Sequence, residues 1–243
     1  GVFALHNWAG SGSFAAGMPQ LTSTQATVVC LFLLLAAAGK AAQIPFSGWL
    51  PRAMEGPTPS SAIFYGAISI HAGAYLLLRA QPLLAESPVA SIAVIVTGLA
   101  TAIYGTMAGR ASADVKTSLA FASLAQVGVI FAEIGFGWKS VAIVHVLGHA
   151  LVRTLQFLRA PSMLHDYHRM RSAIGGEVSR ARAEDLLPEW FHLWLYRWAL
   201  DRGYLDTILD SWFIQPLYEI SRLFTKLDGI GMAAESARRP AER

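Results

Sequence analysis

The 243-residue chain has few charged residues and only one cysteine. Charged residues make up 14% of the chain, whereas soluble globular domains usually contain about 25%. The single cysteine, Cys30, excludes an intramolecular disulfide and any thiolate metal or iron–sulfur cluster built by this chain alone. The chain opens on Gly1 without the regions of a signal peptide, so we expect a piece of a longer protein.

Hydrophobic residues make up 54% of the chain and are gathered into long blocks. A block of about 20 apolar residues crosses a hydrocarbon core of about 30 Å as a helix. Membrane strands would instead show shorter segments of alternating polarity. We therefore predict an all-α, polytopic transmembrane helix bundle of about five spans, one of them discontinuous. The predicted spans are 24–44, 59–79, 88–108, 115–135 and 140–159.

Composition divides the chain into five regions. Residues 1–22 are rich in Gly and Ser and are predicted to form a loop, and 23–160 contain the transmembrane bundle. Residues 161–187 are too polar to enter lipid and are predicted to form a cytoplasmic linker. Residues 188–229 interleave aromatic and charged residues at helical spacing, which predicts amphipathic helices lying along an interface. Residues 230–243 form a short, charged tail.

Basic residues are distributed unevenly between the two predicted sides of the bundle. Arg52, Arg110, Lys116 and Arg159 lie on one side, and Arg79 and Lys139 lie on the other. Because cytoplasmic loops carry the excess of Lys and Arg, the first side is predicted to be cytoplasmic. This bias accounts for the net charge of +3, so no nucleic-acid partner is needed to explain it. The prediction is a multi-pass protein of the inner (cytoplasmic) membrane, in contact with the lipid bilayer.

Lys40 lies where the first span is expected to break. Pro45 follows it closely, and proline removes a backbone donor and bends or ends a helix. A lysine beside such a break either carries a proton in a hydrated interior or extends its ammonium group to the headgroups. The crowding of helix-breaking and polar residues around it favours the first interpretation. These residues are Gly39, Gln43, Pro45, Glu55, Pro57 and Pro59.

Three histidines fall within predicted spans, where ionisable side chains are usually functional. His71 either passes protons between its ring nitrogens or is a neutral ring that joins two helices. His145 and His149 share one face of the last span because they are four residues apart, and Arg153 continues that face. No Glu follows His145 as the zinc-protease motif HExxH requires. We therefore expect a proton or ion path here and no metal site.

The fourth span begins with Asp114 and Lys116 and ends near Glu133. Lys116 is either part of a proton path or an ordinary charge at the cytoplasmic end. The serines that follow it suit helix packing. Glu133 is expected to be an interfacial carboxylate that takes no part in a relay.

Several stretches resemble one known family. GKAAQIPFSGWLPRAMEGPTPSSA (39–62) looks like the signature of the antiporter-like membrane subunits of respiratory complex I, such as NADH-quinone oxidoreductase subunit L, and of Mrp antiporters. DVKTSLAFASLAQVGVIF (114–131) and HVLGHALVRTLQFL (145–158) are similar to two further motifs of that family. Residues 203–229 resemble the segment that leads into the lateral helix of subunit L.

The resemblance implies a proton-translocating membrane subunit of a multi-subunit complex I-like or antiporter-like assembly. It implies no catalytic residue, redox site or cofactor in this chain, since electron transfer takes place in other subunits. Lys40, Asp114, Lys116, His145 and His149 match the proton path of the family, and we expect His71 and Arg153 to belong to the path as well. Two positions depart from the family pattern: Tyr65 stands in place of a histidine, and Arg153 in place of a lysine.

The same resemblance leaves other functions open. A related membrane protein serves an energy-coupled inorganic-carbon (bicarbonate/CO2) uptake system and pairs with a soluble, zinc-containing partner similar to carbonic anhydrase. The remaining alternatives are a cation/proton antiporter subunit and a non-conducting scaffold.

Overall fold

A computed structural model of the chain describes residues 1–9, 21–55, 57–112, 114–160 and 188–225. The predicted linker at 161–187 and the tail at 230–243 lie outside the described residues. Over the described ranges the regular elements are helical, as predicted. The chain separates into two units, Gly1–Gly203 and Tyr204–Arg243.

The N-terminal region begins with a short helix, α1 (Val2–Ala9), so the prediction of a loop over 1–22 is wrong at its start. Leu5 is fully buried in this helix, which packs against the next one. Helix α2 (Ser23–Lys40) begins with a capping box in which the Thr22 side chain accepts from the Gln25 N–H. Gln25 Oε1 accepts from the Thr22 N–H in return.

Helix α2 ends at Lys40, four residues before the predicted end at 44. The apolar run continues through Ala41 and Ala42, but Ala42 has a φ of 54° and cannot extend the helix. The expected break just after Lys40 is therefore present, and it lies closer to the lysine than hydropathy alone indicated.

The second span, Thr58–Arg79, is one helix whose hydrogen-bonding pattern changes along its length. Helix α3 (Trp49–Arg52) and a 3-10 turn (Ala53–Glu55) lead into it. The span itself comprises α4 (Thr58–Ser61), a π-helical segment (Ala62–Ile68) and α5 (His71–Arg79). Segments of π-helix are rare and are frequently found at functional sites.

The remaining spans are continuous helices. After the short α6 (Gln81–Ala85), they are α7 (Pro88–Ala111), α8 (Val115–Gly135) and α9 (Lys139–Arg159). Together with Ser23–Lys40 and Thr58–Arg79, these are five helices long and apolar enough to cross a membrane. The chain is thus a multi-pass membrane protein.

Helices α7 and α8 make the closest contact of the bundle. At the crossing of the two helices, a Cβ atom on Gly98 would overlap the Gly128 carbonyl, and one on Gly128 would overlap the Gly98 carbonyl. Small residues allow membrane helices to approach to backbone contact, where dispersion forces are strongest. Helix α8 is also packed against α9 and α5, so it is the central helix of the first unit.

Beyond the spans, two further helices are described. Helix α10 (Glu189–Leu200) packs on α7, where the rings of Trp198 and Tyr104 meet edge-on at 6.1 Å between centroids. In the second unit, α11 (Leu205–Leu209) continues through a π-helical segment (Asp210–Ile214) and remains helical to residue 225. Its side chains are largely exposed. Both regions are helical as predicted, and their position along a membrane interface stays a prediction.

Candidate functional site

His71 and His149 form a direct contact in the interior of the first unit. His71 Nε2 lies 2.8 Å from His149 Nδ1, and the two rings meet edge-on with centroids 4.9 Å apart. The side chains are 5% and 7% exposed, respectively. The contact joins α5 to α9 across 78 residues of sequence. Two ionisable rings are thus in hydrogen-bonding contact within membrane-spanning helices.

The hydrogen bonds indicate which ring nitrogens of this pair carry a proton. His71 Nδ1 lies 3.0 Å from the Ala67 carbonyl oxygen, which can only accept, so Nδ1–H donates. In a neutral His71 the Nε2 atom is then an acceptor, and His149 Nδ1–H donates to it. His149 Nε2 is left with a free lone pair, and it is buried without a hydrogen-bond partner among the described residues. This atom is therefore the position at which the pair accepts a further proton.

His149 lies at the middle of α9, the last of the five candidate spans. Ten residues separate it from Lys139, the first residue of α9, which corresponds to about 15 Å of rise, or half of a hydrocarbon core. Arg153 follows one turn later on the same face and is 8% exposed. Its guanidinium group stays protonated and supplies a fixed positive charge.

His145 lies one turn before His149 and has its own partners on α8. Its Nδ1 atom is 2.8 Å from Glu133 Oε1, and its Nε2 atom is 3.0 Å from Gln126 Oε1. The His145 ring is thus held between two side chains of α8, Glu133 and Gln126. We expected Glu133 to take no part in a relay, but the structure places it against a histidine of the predicted path. Across the described ranges, no group of three or more His, Cys, Asp and Glu side chains could hold a metal ion.

Sequence reasoning missed Glu133 and Gln126 as partners of His145. The available signal was the short connection from Phe136 to Trp138, which makes α8 and α9 antiparallel neighbours. Residues on the facing sides of two such neighbouring helices come into contact.

Lys40 is exposed at the last position of α2. Several hydrogen bonds between side chains and backbone groups lie beside it. Trp49 Nε1 donates to the Gly39 carbonyl at 3.1 Å. Gln43 is fully buried, and its Nε2 donates to the Ala41 carbonyl at 3.0 Å. Pro45 follows in a cis peptide bond with Ile44, whose N–H donates to Thr101 Oγ1. Side chains thus satisfy the backbone groups that the helix break leaves free, as membrane interiors require.

The Lys40 break and the histidine pair are connected through α5. A Cβ atom on Gly73, two residues after His71, would overlap the Ala37 carbonyl and lie 2.8 Å from the Ala41 side chain. Helix α5 therefore packs directly on the last turn of α2. Tyr65, at the position of the missing family histidine, faces Trp49 with ring centroids 6.1 Å apart.

The other predicted site residues lie elsewhere. Asp114 is exposed and caps α8, because its Oδ2 accepts from the Thr117 N–H at 2.8 Å. Lys116 is in the first turn of α8, seventeen residues before Glu133, and so about 26 Å from it along the helix. Glu55 ends the 3-10 turn, while Pro57 precedes α4 and Pro59 lies in its first turn. The structure thus gathers His71, His145, His149 and Arg153 and leaves Asp114 and Lys116 apart.

Comparison with known proteins identifies related chains. A family model described as the transmembrane part of NADH:quinone oxidoreductase/Mrp antiporter proteins matches residues 1–175. NADH-ubiquinone oxidoreductase chain 5 of Allomyces macrogynus is 42% identical over 142 residues, covering 58% of this chain and 22% of the relative.

Bacterial relatives match over a longer part of the chain. NADH-quinone oxidoreductase subunit L of Mycobacterium tuberculosis is 36% identical over 173 residues, covering 69% of this chain and 27% of the relative. Subunit L of Rhodobacter capsulatus is 34% identical over 178 residues, covering 69% and 25%. The chain therefore spans about a quarter of the length of the curated relatives that it matches.

Proposed function

Because the chain belongs to the NADH:quinone oxidoreductase/Mrp antiporter membrane family, we propose that it moves protons across a membrane as one subunit of a larger complex. The observation that carries the proposal is the 2.8 Å contact between His71 Nε2 and His149 Nδ1, which joins two of the candidate membrane spans. Ionisable groups buried in membrane helices are costly and mark ion or proton paths.

The geometry of the pair supports a defined proton transfer. A proton that reaches His149 Nε2 gives an imidazolium, which then passes its Nδ1 proton to His71 Nε2. His149 becomes neutral, with its remaining proton on Nε2, and His71 becomes the cation. One positive charge has moved from α9 to α5 without movement of a heavy atom across the gap. The cycle closes when His71 releases a proton and the rings return to their starting tautomers.

Lys40 is proposed as the next proton carrier. Its position beside the break in α2, on which α5 packs, supports exchange with His71 through water in a polar interior. Lys116 is proposed to act nearer the cytoplasmic end of α8. Asp114 is assigned to the same path by the family resemblance, although its contact with the Thr117 N–H supports a capping role.

The proposal is tested by replacing His149 with glutamine in the assembled complex. Glutamine keeps polarity and a similar volume but does not titrate, so the transfer to His71 is lost. We expect proton flux into sealed vesicles to fall by roughly 100-fold, the usual contribution of a positioned acid or base. Lys40→Met is expected to have a similar effect if both residues lie on one path.

The matched control is His192→Gln on α10, outside the five spans. This variant makes the same chemical change away from the proposed path and should leave proton flux unchanged. Wild-type flux in the His149→Gln variant would remove the histidine pair from the mechanism. Absence of proton flux in the wild-type complex would overturn the proposed function itself.

We further propose that the chain lies in the inner (cytoplasmic) membrane and that its partners are other membrane subunits. The bacterial relatives, which are NADH-quinone oxidoreductase subunits L, support this assignment. The excess of basic residues on one side of the bundle supports a cytoplasmic position for the ends at Arg52, Arg110 and Arg159.

A further inference from the structure

Glu133 and His145 form a second ionisable pair, nearer the end of the bundle marked by Arg79 and Lys139. We propose that Glu133 exchanges protons with the aqueous phase at that end and passes them to and from the histidine pair through His145. The inference rests on the proposed function and extends it to a residue that the family motifs described above do not contain.

The contact geometry suits a proton donor and acceptor. His145 Nδ1 and Glu133 Oε1 are 2.8 Å apart, and the side chains are 24% and 13% exposed. Gln126 Oε1 accepts from the opposite ring nitrogen at 3.0 Å and holds the ring in this orientation. Glu133 Oε2 is buried and has no hydrogen-bond donor among the described residues. The carboxyl group therefore has one oxygen directed at the ring and a second oxygen without a partner among the described residues.

The order of the residues along the helices matches a path from the surface to the centre. Glu133 is in the last turn of α8, two residues before its end at Gly135. His145 lies about 9 Å along α9 from Lys139, and His149 about 15 Å, at 1.5 Å of rise per residue. His145 and His149 face the same side, because side chains at i and i+4 are neighbours on a helix.

Each proton transfer in this arrangement balances. The proposed step starts with protons on both ring nitrogens of His145 and none on Glu133. Transfer of the Nδ1 proton to Oε1 leaves a neutral ring, protonated at Nε2, and a neutral carboxyl group. Loss of the carboxyl proton to water restores the carboxylate. The ring returns to its starting state when it turns so that its unprotonated nitrogen takes up a proton from the His149 side. The reverse order carries a proton inward.

Glu133→Gln tests the inference in the assembled complex in sealed vesicles. The amide keeps the shape of the side chain and its hydrogen bond to His145 but cannot exchange a proton. We expect proton flux to fall by roughly 100-fold. The control is Glu86→Gln, which removes the same charge from an exposed residue just before α7, at the same end of the bundle.

The outcomes separate the two proposals. Wild-type flux in Glu133→Gln, with slow flux in His149→Gln, would overturn the role of Glu133 and leave the proposed function intact. Absence of flux in the wild-type complex would overturn both.

A spectroscopic measurement covers the case in which Glu133→Gln fails to assemble. The infrared difference spectrum of the working complex should contain the carbonyl band of a transiently protonated carboxyl group. Glu133→Asp keeps the carboxyl group but shortens the side chain by one methylene, so the carbonyl band should shift in frequency. A band that is unaffected by Glu133→Asp would contradict the inference.

Discussion

At the level of single residues, His71 and Tyr65 make different contacts. His71, six residues after Tyr65 in the sequence, supplies the imidazole that contacts His149. Tyr65 instead packs against Trp49, whose indole N–H caps the Gly39 carbonyl beside the helix break. The chain therefore keeps a histidine in contact with His149 although the position named by the family pattern carries a phenol.

The pairing of His71 with His149 could not be predicted from the sequence. Spacing placed His145, His149 and Arg153 on one face, because that relation depends only on the pitch of one helix. The contact of His71 with His149 depends on how α5 packs on α9, and no local pattern specifies that packing. Sequence reasoning named each residue as a candidate and left its partner open.

Asp114 offers a test that separates helix capping from proton transfer. Asp114→Ala removes the acceptor for the Thr117 N–H and should lower the free energy of unfolding by about 1 kcal/mol. Asp114→Asn keeps a capping oxygen but cannot titrate. If capping is its task, Asn should preserve both stability and proton flux, as measured by thermal unfolding in detergent and by the vesicle assay.

The measurements on Asp114→Asn can also give the opposite result. Loss of proton flux in Asp114→Asn, with unchanged thermal stability, would place the carboxylate in the proton path beside Lys116.

At the level of helices, the five spans were predictable because an apolar block of the right length has few alternatives in a membrane. The predicted boundaries agree with the helices to within a few residues, except at the end of α2. That end depends on the backbone conformation at Ala42. Alanine is apolar and favours helices, so neither hydropathy nor propensity marks the turn.

Gly128 tests the contact between α7 and α8. A methyl group there would overlap the Gly98 carbonyl, so Gly128→Ala forces the two helices apart and should destabilise the bundle by about 1–3 kcal/mol. The measurement is the unfolding midpoint of the purified protein in mild detergent.

Gly148→Ala is the matched control, since a methyl group at Gly148 has no neighbouring atom within 4 Å. It should be neutral or stabilise α9 by up to about 1 kcal/mol, because alanine is the better helix former. Equal midpoints for the two variants would show that the α7–α8 crossing is looser than described.

At the level of the whole molecule, the chain spans about a quarter of the length of its curated relatives. Many apolar side chains on α9 are exposed in the isolated chain, including Val144, Leu147, Leu151 and Leu155. Lipid or other membrane subunits are the environments that suit such a surface.

Purification in mild detergent should therefore recover the chain with other membrane proteins. We expect an assembly that contains complex I-like or antiporter-like subunits, identified by mass spectrometry, and a quinone-reducing activity would assign it to the first class. Recovery with a soluble zinc protein, and without flavin or iron–sulfur clusters, would instead assign it to inorganic-carbon uptake.

The glycine contact between α7 and α8 places the two sides of the Glu133–His145 pair in different surroundings. Helix α8 carries Glu133 and Gln126 and meets α7 backbone to backbone. Helix α9 carries His145 and is the least buried of the five spans. The His145 side of the pair is therefore the side that lipid or a neighbouring protein can contact directly.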